Sequence, residues 1–147
     1  MDAEIPVEFI DLVNGPRVAA LTTVMPDGQP QTTVVWCDYD GEYVRVTTIR
    51  GFRKEKNMRL NPKVTLLCYD PRQPLRSIEI RARVVEMTEV GALEHLDGMS
   101  EMYIGRSPYY GACVPAELQE TEVPVLCKIQ PLHVVGLDAR SKKEPER

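Results

Sequence analysis

A dense group of basic side chains lies between two apolar stretches of the sequence. Arg50, Arg53, Lys54, Lys56 and Arg59 place five positive charges within ten positions, although the whole chain has a formal charge of −4. Arginine and lysine are the side chains that bind phosphate, arginine as a bidentate donor and lysine as a point charge. The local excess of positive charge in an acidic chain therefore indicates a phosphate-binding segment.

The position of this segment supports the same interpretation. A helix is expected over residues 52–60, directly after a strand that ends at Thr47 and Thr48. Where a strand leads into a helix, unpaired backbone N–H groups and the positive end of the helix dipole are exposed. Basic residues at this end repel one another, and the arrangement becomes favourable when an anion binds there.

A surface helix without a ligand is the alternative interpretation. In that case Glu55 and Arg59 form a solvated ion pair that dilutes the charge. Against it, Phe52, Met58 and Leu60 would lie on different sides of the helix, so packing alone does not account for its sequence. RNA is a third candidate anion, but aromatic residues make up only 6% of the chain, and the segment has no aromatic platform for stacking bases.

The sequence offers no other catalytic or metal-binding pattern. Four cysteines are isolated from one another, at Cys37, Cys68, Cys113 and Cys127. His95 and His133 are far apart, so no zinc-binding spacing is present, and the cysteines are interpreted as free thiols. Tyr103, Tyr109 and Tyr110 are candidates for protonating a substrate or closing a pocket, but tyrosines are more often core or surface residues. No catalytic side chain is assigned.

Length and composition are those of one globular domain. With 147 residues, of which 43% are hydrophobic and 27% charged, the chain can bury a core without disulfides or a structural metal. The sequence has no apolar run of membrane-spanning length, and MDAEIPVEF at its start lacks the apolar segment of a secretory signal. We expect one cytoplasmic domain over residues 1–147 with a frayed, charged tail at residues 138–147, and no nucleic-acid or membrane partner.

Patterns in the first two thirds of the chain predict a helix followed by short strands. Pro6 suits the start of a helix over residues 6–13, and Asn14-Gly15-Pro16 should end it. Asp40-Gly41 predicts a hairpin turn, because both residues tolerate a positive φ. Strands are predicted at residues 17–24, 31–39, 42–48, 63–69 and 76–87.

The last third is expected to hold a helix, a loop and two strands. A helix over residues 89–103, capped by Thr88, would carry an apolar residue at every third position: Val90, Leu93, Leu96, Met99 and Met102. Residues 105–121 should form an irregular loop, and closing strands are predicted at residues 123–129 and 133–137, separated by Pro131. Six or seven strands with a few short helices predict a mainly β fold, an antiparallel barrel.

The order of these motifs resembles the pyridoxamine 5′-phosphate oxidase-like split β-barrel superfamily. TTVMPDGQPQTTVVW and DYDGEYVRVTT precede a K-x-x-N-M-R-x-N-P-K-V element, and IQPLHVVGL is similar to the last strand of the family. The resemblance covers nearly the whole chain and is closest to a branch of small FMN-binding and F420-dependent oxidoreductases. It implies a split barrel and a homodimer with cofactors at the subunit interface.

The resemblance also implies a site for FMN or for the deazaflavin coenzyme F420. Lys54 matches the phosphate-binding lysine of the family, and Thr47 and Thr48 match strand-end positions that contact the phosphate or the ribityl chain. Asn57 matches a helix asparagine that serves either the structure or the ligand.

Three further positions match the strand beside the tricyclic ring: Thr33, Val34 and Trp36. Trp36 would either pack in the barrel or border the ring. Many relatives carry arginine at the position of Phe52, so Arg50 or Arg53 is expected to complete the phosphate shell.

The function implied is hydride transfer between F420 or FMN and a small unsaturated organic substrate. The length of the basic strip favours F420, whose phosphodiester and acidic tail need a longer strip than the terminal phosphate of FMN. The alternative is a non-catalytic flavin- or haem-binding protein for storage or sensing. The pyridoxal-phosphate recognition residues of the vitamin B6 oxidases are not recognisable, so that reaction is not assigned.

Overall fold

A computed structural model of the protein describes residues 2–139. Their fold is built on one antiparallel sheet of seven strands, in the order β2-β1-β5-β6-β7-β4-β3. The strands are β1 (Val18–Val24), β2 (Pro30–Val35), β3 (Asp38–Tyr39), β4 (Val44–Ile49), β5 (Lys63–Tyr69), β6 (Arg76–Thr88) and β7 (Pro124–Asp138). The prediction of a mainly β, antiparallel split barrel is confirmed.

Three helices flank the sheet: α1 (Ile10–Val13), α2 (Arg53–Leu60) and α3 (Ala92–Ile104). A 3₁₀ turn over Val7–Phe9 leads into α1. The expected loop after α3 contains two short helical turns, at Tyr109–Cys113 and Ala116–Glu120. No helix within residues 2–139 is long and apolar enough to cross a bilayer.

Connectivity forces the sheet to curl. Strands β2 and β3 lie at opposite ends of the sheet, yet only Trp36 and Cys37 separate them in the chain. The three Cα–Cα steps from Val35 to Asp38 span at most about 11 Å, so the two ends of the sheet must approach each other. We call the line along which they meet the seam.

The core fills the inside of this curl. Alternate residues of a strand point to the same face, and the inward positions of five strands are almost completely buried. They include Leu21, Leu66, Ile80, Val46 and Ile129, each no more than 1% exposed. The strands are thereby held at fixed registers, because a shift of one residue would turn these side chains to the outside.

Two predicted strand boundaries were wrong. The strand expected over residues 31–39 breaks at the seam into β2 and β3, because the chain must pass from one end of the sheet to the other. The two closing strands are one long strand, β7, which runs through Pro131. A register shift next to Ala82, which lies opposite Pro131, absorbs the missing N–H of the proline.

The predicted hairpin turn forms at Asp40-Gly41, but by a different means. Gly41 has φ 98°, whereas Asp40, like every other non-glycine residue in the range 2–139, has a negative φ. Instead, Oδ1 of Asp40 accepts hydrogen bonds from the backbone N–H groups of Glu42 (2.9 Å) and Tyr43 (2.7 Å). The aspartate therefore stabilises the turn through its side chain.

The predicted start of α3 was wrong, and of the apolar series predicted for its buried face only Leu96 and Met99 are buried. Thr88 does not cap the helix; its hydroxyl accepts the N–H of Val90, and Gly91 leads into the helix with φ 79°. The buried residues are Ala92, His95, Leu96, Met99 and Ser100. This i, i+3, i+4, i+7, i+8 stripe replaces the predicted steps of three, which leave Val90 83% exposed.

The charged tail expected at residues 138–147 lies outside the described residues from position 140 onwards. Asp138 is the last residue of β7 and is paired with Arg76 in the sheet.

Candidate functional site

A cavity of about 210 Å³ opens at the seam. The strand end before the seam and the C-terminal end of β4 form two of its walls, while α2, α3 and the turn after α3 close it. Its lining residues are Val34, Val35, Trp36, Thr47, Thr48, Ile49, Phe52, Lys54, Leu96 and Tyr109. Of the predicted cofactor-binding residues, the structure brings Val34, Trp36, Thr47, Thr48 and Lys54 together here.

Aromatic rings form one side of the cavity. Trp36 stacks on Tyr103, with ring centroids 5.5 Å apart and an interplanar angle of 18°. Tyr109 meets Trp36 edge to face at 6.1 Å. Trp36 thus combines the two roles between which its sequence context left a choice, because it packs against other rings and also borders the cavity.

Tyr103 fixes the two-residue link at the seam. Its hydroxyl donates to the backbone carbonyl of Cys37 (2.9 Å) and accepts the backbone N–H of Cys37 (3.0 Å). Burial raises the pKa of Tyr103 well above its ordinary value. This phenol is therefore a structural group and is poorly placed to donate a proton to a substrate.

The other two candidate tyrosines differ from each other. The hydroxyl of Tyr110 donates to Glu122 at 2.9 Å, so its proton is already shared within the fold. Tyr109 lines the cavity, and burial raises its pKa above the ordinary value. Tyr109 therefore stays neutral near pH 7 and offers a hydroxyl to whatever enters the cavity.

Lys54 lies in the first turn of α2 and faces the cavity. Its ammonium group lies 5.8 Å from the centroid of the Phe52 ring, and it forms no ion pair with any residue in the described range 2–139. Burial lowers the pKa of Lys54 below its ordinary value. A half-buried cation without a carboxylate partner is unfavourable unless an anion compensates it.

Other groups near Lys54 are also without partners. The N-terminus of α2 has no side-chain cap, and within residues 2–139 the hydroxyl of Thr48, which lines the cavity, forms no hydrogen bond. A phosphate needs donors and positive charge at close range. Lys54, Thr48 and the start of α2 supply both, so these residues fit the phosphate end of a nucleotide-like cofactor.

The interpretation of Glu55 as half of a solvated ion pair was wrong. Glu55 is 2% exposed. One carboxylate oxygen accepts the backbone N–H of Gly51 at 2.8 Å, and the other accepts a hydrogen bond from the guanidinium of Arg59. The side chain closes the strand-to-helix turn from inside, a role that charge spacing along a helix does not reveal.

Arg50 and Arg53 do not line the cavity. Arg50 forms an ion pair with Glu89, and both side chains are about half exposed. Arg53, the first residue of α2, is exposed and has no ion-pair partner among residues 2–139. Of the two arginines expected to complete the phosphate shell, only Arg53 therefore remains uncommitted.

Asn57 and Thr33 face the interior. Asn57 is fully buried, and its amide donates to the hydroxyl of Thr23 at 3.0 Å. Thr33 lies opposite the buried Leu21 in the β1–β2 pair, and its hydroxyl oxygen is buried without a partner. Both residues of the predicted site thus lie away from the cavity lining.

A chain of hydrogen bonds runs from the cavity into the protein. Oγ1 of Thr47 lies 2.7 Å from Nδ1 of His95, and Nε2 of His95 lies 3.0 Å from Oδ1 of Asp38. Arg45 holds the same carboxylate with two bonds, of 3.0 and 2.6 Å. Burial raises the pKa of Asp38, but the hydrogen bonds from His95 and Arg45 outweigh it, so the pKa lies below the ordinary value.

Sequence reasoning missed His95 and Asp38, whereas Tyr109, which the sequence offered as a candidate for closing a pocket, lines the cavity. With the periodicity i, i+3, i+4, i+7 counted from Ala92, His95 falls on the buried stripe of α3. That periodicity would have predicted His95 to be a buried polar residue. Asp38 carries no such signal, because a carboxylate beside a turn is ordinarily exposed.

With this geometry established, comparison with known proteins identifies the family. Residues 5–126 match the pyridoxamine 5′-phosphate oxidase family. The chain belongs to this family. The sequence matches none of the curated proteins with which it was compared.

Several solved structures have a fold similar to that of this chain. An F420 reductase is 26% identical, with a TM-score of 0.75 over 88% of this chain and 98% of that one. A conserved hypothetical protein from Mycobacterium tuberculosis is 27% identical, with a TM-score of 0.70 over 95% and 88%. A FAD-binding protein from Mesorhizobium loti, 16% identical, has a TM-score of 0.60 over 91% and 95%, which shows likeness of fold alone.

Proposed function

We propose that this protein is an oxidoreductase that binds F420, or alternatively FMN, in the seam cavity and acts on a small unsaturated organic substrate. The observation that carries the proposal is Lys54, a half-buried cation that faces the cavity without an acidic partner within residues 2–139. A buried charge of this kind calls for an anion. The phosphate of a flavin-type cofactor supplies one beside an aromatic wall.

Each part of the cavity has a task in this proposal. Lys54, Thr48 and the N-terminus of α2 bind the phosphate, with Thr47 beside them, and the edge formed by Val34 and Trp36 lies against the ring. The bound cofactor supplies hydride transfer, while the protein binds, orients and excludes water. Tyr109 offers a neutral hydroxyl for orienting the substrate, so no nucleophile or metal is required.

The choice between the two cofactors rests on similarity. Fewer basic side chains are available to an anion than the sequence predicted, because Arg50 and Arg59 form ion pairs with Glu89 and Glu55. The likeness to an F420 reductase, at 26% identity over nearly all of that chain, favours F420. The haem-binding alternative has less support, because both ring nitrogens of His95 are engaged in hydrogen bonds.

The cavity also favours a homodimer. Its volume of about 210 Å³ lies below the roughly 300–1,000 Å³ typical of ligand pockets, so a second surface is needed to enclose a tricyclic ring. Val34, Ala20 and Leu67 are cross-strand neighbours on the outer face of the sheet. Val34 is 71% and Leu67 41% exposed, an apolar row suited to a subunit interface of about 2,000 Å².

Titration with F420 and with FMN, followed by fluorescence quenching, tests the proposal. We expect micromolar or tighter binding of at least one and turnover with a quinone, enone or tetrapyrrole acceptor. Failure to bind either would overturn the proposal, and binding without turnover on any acceptor would favour a storage or sensing protein. Light scattering tests the dimer, which a monomer at micromolar concentration would contradict.

A further inference from the structure

We propose that binding of the cofactor's anionic group at Thr47 is coupled to uptake of a proton by His95. The inference rests on the proposed function, because it concerns the same cavity. In addition, a proton on His95 changes the Thr47 hydroxyl from a hydrogen-bond acceptor to a donor towards the cavity. The change is transmitted through the hydrogen-bonded chain Thr47–His95–Asp38.

The chain fixes which ring nitrogen carries the proton in the neutral form of His95. Oδ1 of Asp38 is 3.0 Å from Nε2 of His95, and a bidentate Arg45 keeps Asp38 ionised. A carboxylate is only an acceptor, so Nε2 carries a proton and donates it. In the neutral imidazole Nδ1 then has a lone pair and accepts the hydrogen of Thr47 over 2.7 Å.

This arrangement is unsuited to an anion. With its single hydrogen directed at His95, Thr47 presents only oxygen lone pairs to the cavity that it lines. Phosphate oxygens are acceptors as well, so the two groups repel. The other neutral tautomer is unfavourable, because it would place the lone pair of Nε2 against the ionised Asp38.

A second proton on His95 reverses the role of Thr47. The imidazolium donates through both nitrogens, to Asp38 and to Oγ1 of Thr47. The hydroxyl hydrogen of Thr47 is then free to donate to the anion. Only the Thr47 side chain separates the added positive charge from the ligand, and the Asp38 carboxylate balances that charge. The protonated form of His95 therefore favours the anion through both hydrogen bonding and charge.

The surroundings of His95 agree with this assignment. Helix α3 packs against β7, β4 and the turn after α3. Of the ionisable groups in residues 2–139, Asp38 is the one that bonds to the imidazole, and Asp97 is occupied by the backbone N–H of Tyr109. The other ionisable residues on these elements are Arg45, Glu94, Glu101, Tyr103, Tyr109, Tyr110, Cys113, Cys127, Lys128, His133 and Asp138.

Linkage gives the sign of the pH dependence. If the bound state holds more protons than the free state, affinity rises as the pH falls, by up to tenfold per pH unit for one proton.

Titration calorimetry with F420 and with FMN measures the coupling. Binding is measured at about pH 8, where the FMN phosphate is fully ionised, in two phosphate-free buffers of different ionisation enthalpy. We expect a net uptake of a fraction of a proton. Thr47→Val, which keeps the shape of the strand residue, should bind about tenfold more weakly and lose the uptake.

Long-range ¹H–¹⁵N NMR of the parent should show His95 protonated at Nε2 alone when free, and at both nitrogens when bound; His133→Asn assigns the signals.

The outcomes separate the two proposals. Binding with no change at His95, or uptake that persists in Thr47→Val, would overturn the coupling and leave the proposed function standing. Failure of both cofactors to bind would overturn the proposed function, and the coupling with it. His95→Gln, which cannot take up a proton, should bind with no net uptake if it folds; the NMR result on the parent does not depend on any variant.

Discussion

The two sides of helix α2 carry charges in opposite situations. On the inner side Glu55 is almost completely buried, and both of its carboxylate oxygens have donors, from Gly51 and Arg59. On the cavity side Lys54 is half-buried and has no carboxylate within residues 2–139. The fold therefore compensates one charge completely and leaves the other without a counter-ion. Paired charges hold α2 in place, while the unpaired one is available to a ligand.

Removing Glu55 should have the largest effect and should act on stability. Glu55→Ala removes an almost completely buried carboxylate and leaves the Gly51 N–H and the Arg59 guanidinium without their acceptor, so we expect a loss of about 3 kcal/mol in the free energy of unfolding. Urea denaturation measures it. A loss below about 0.5 kcal/mol would place Glu55 with ordinary surface carboxylates and remove the contrast with Lys54.

Removing Lys54 should act on binding instead. Lys54→Ala is expected to weaken cofactor binding by about 1.5–3 kcal/mol, the size of one charge-assisted contact. Stability without cofactor should stay the same or rise slightly, because burial lowers the pKa of Lys54 and its charge therefore opposes folding. Fluorescence titration and urea denaturation measure the two quantities.

Lys56→Ala is the matched control for that experiment. Lys56 lies on the same helix but is exposed and does not line the cavity, so affinity should change less than about threefold. Equal losses in the two variants would mean that the general charge of α2, and not the cavity-facing ammonium, attracts the cofactor.

Asn57 tests the inner side a second time, with a smaller effect. Asn57→Ala removes the hydrogen bond to Thr23 and also an oxygen that has no partner, so the net loss of stability should be about 1–2 kcal/mol. Cofactor affinity, corrected for the unfolded fraction, should stay within about twofold. A tenfold loss of affinity in folded protein would return Asn57 to the binding site. Asn61→Ala, on an exposed backbone turn, provides the comparison.

The smallest expected effect is the alkaline pH dependence of binding. Because the pKa of Lys54 is lowered in the free protein, its ammonium loses its proton earlier than an ordinary lysine. In the Thr47→Val background, which removes the coupling to His95, affinity should therefore fall a few-fold as the pH rises from about 8 to about 10, and lysine and arginine at position 54 are compared in that background. Lys54→Arg, which stays charged, should be flatter over this range; an equally steep fall would assign the dependence to another group.

Sequence patterns predicted the fold better than the site. Alternating strands such as residues 76–87 report directly on which face is buried, and the motif order pointed to the split barrel and to the segment that holds Lys54. Partners of individual side chains were not predictable, because Glu55 and Asn57 are adjacent to exposed residues in sequence and buried only in three dimensions. Likewise, the contact between Asp38 and His95 joins residues 57 positions apart, which no local pattern encodes.

The place of β7 in the sheet has a consequence for synthesis on the ribosome. β7 joins β6 to β4 and is the last of the described strands. A nascent chain that has not reached Pro124 can form the β2-β1-β5-β6 ladder, but the β3–β4 hairpin has no strand to pair with. Helix α3, which contacts Thr47 through His95 and Trp36 through Tyr103, then lacks the strand against which it packs. Ligand binding by the growing polypeptide must therefore wait until β7 has left the exit tunnel, and until then the hairpin has an exposed edge that a chaperone can shield.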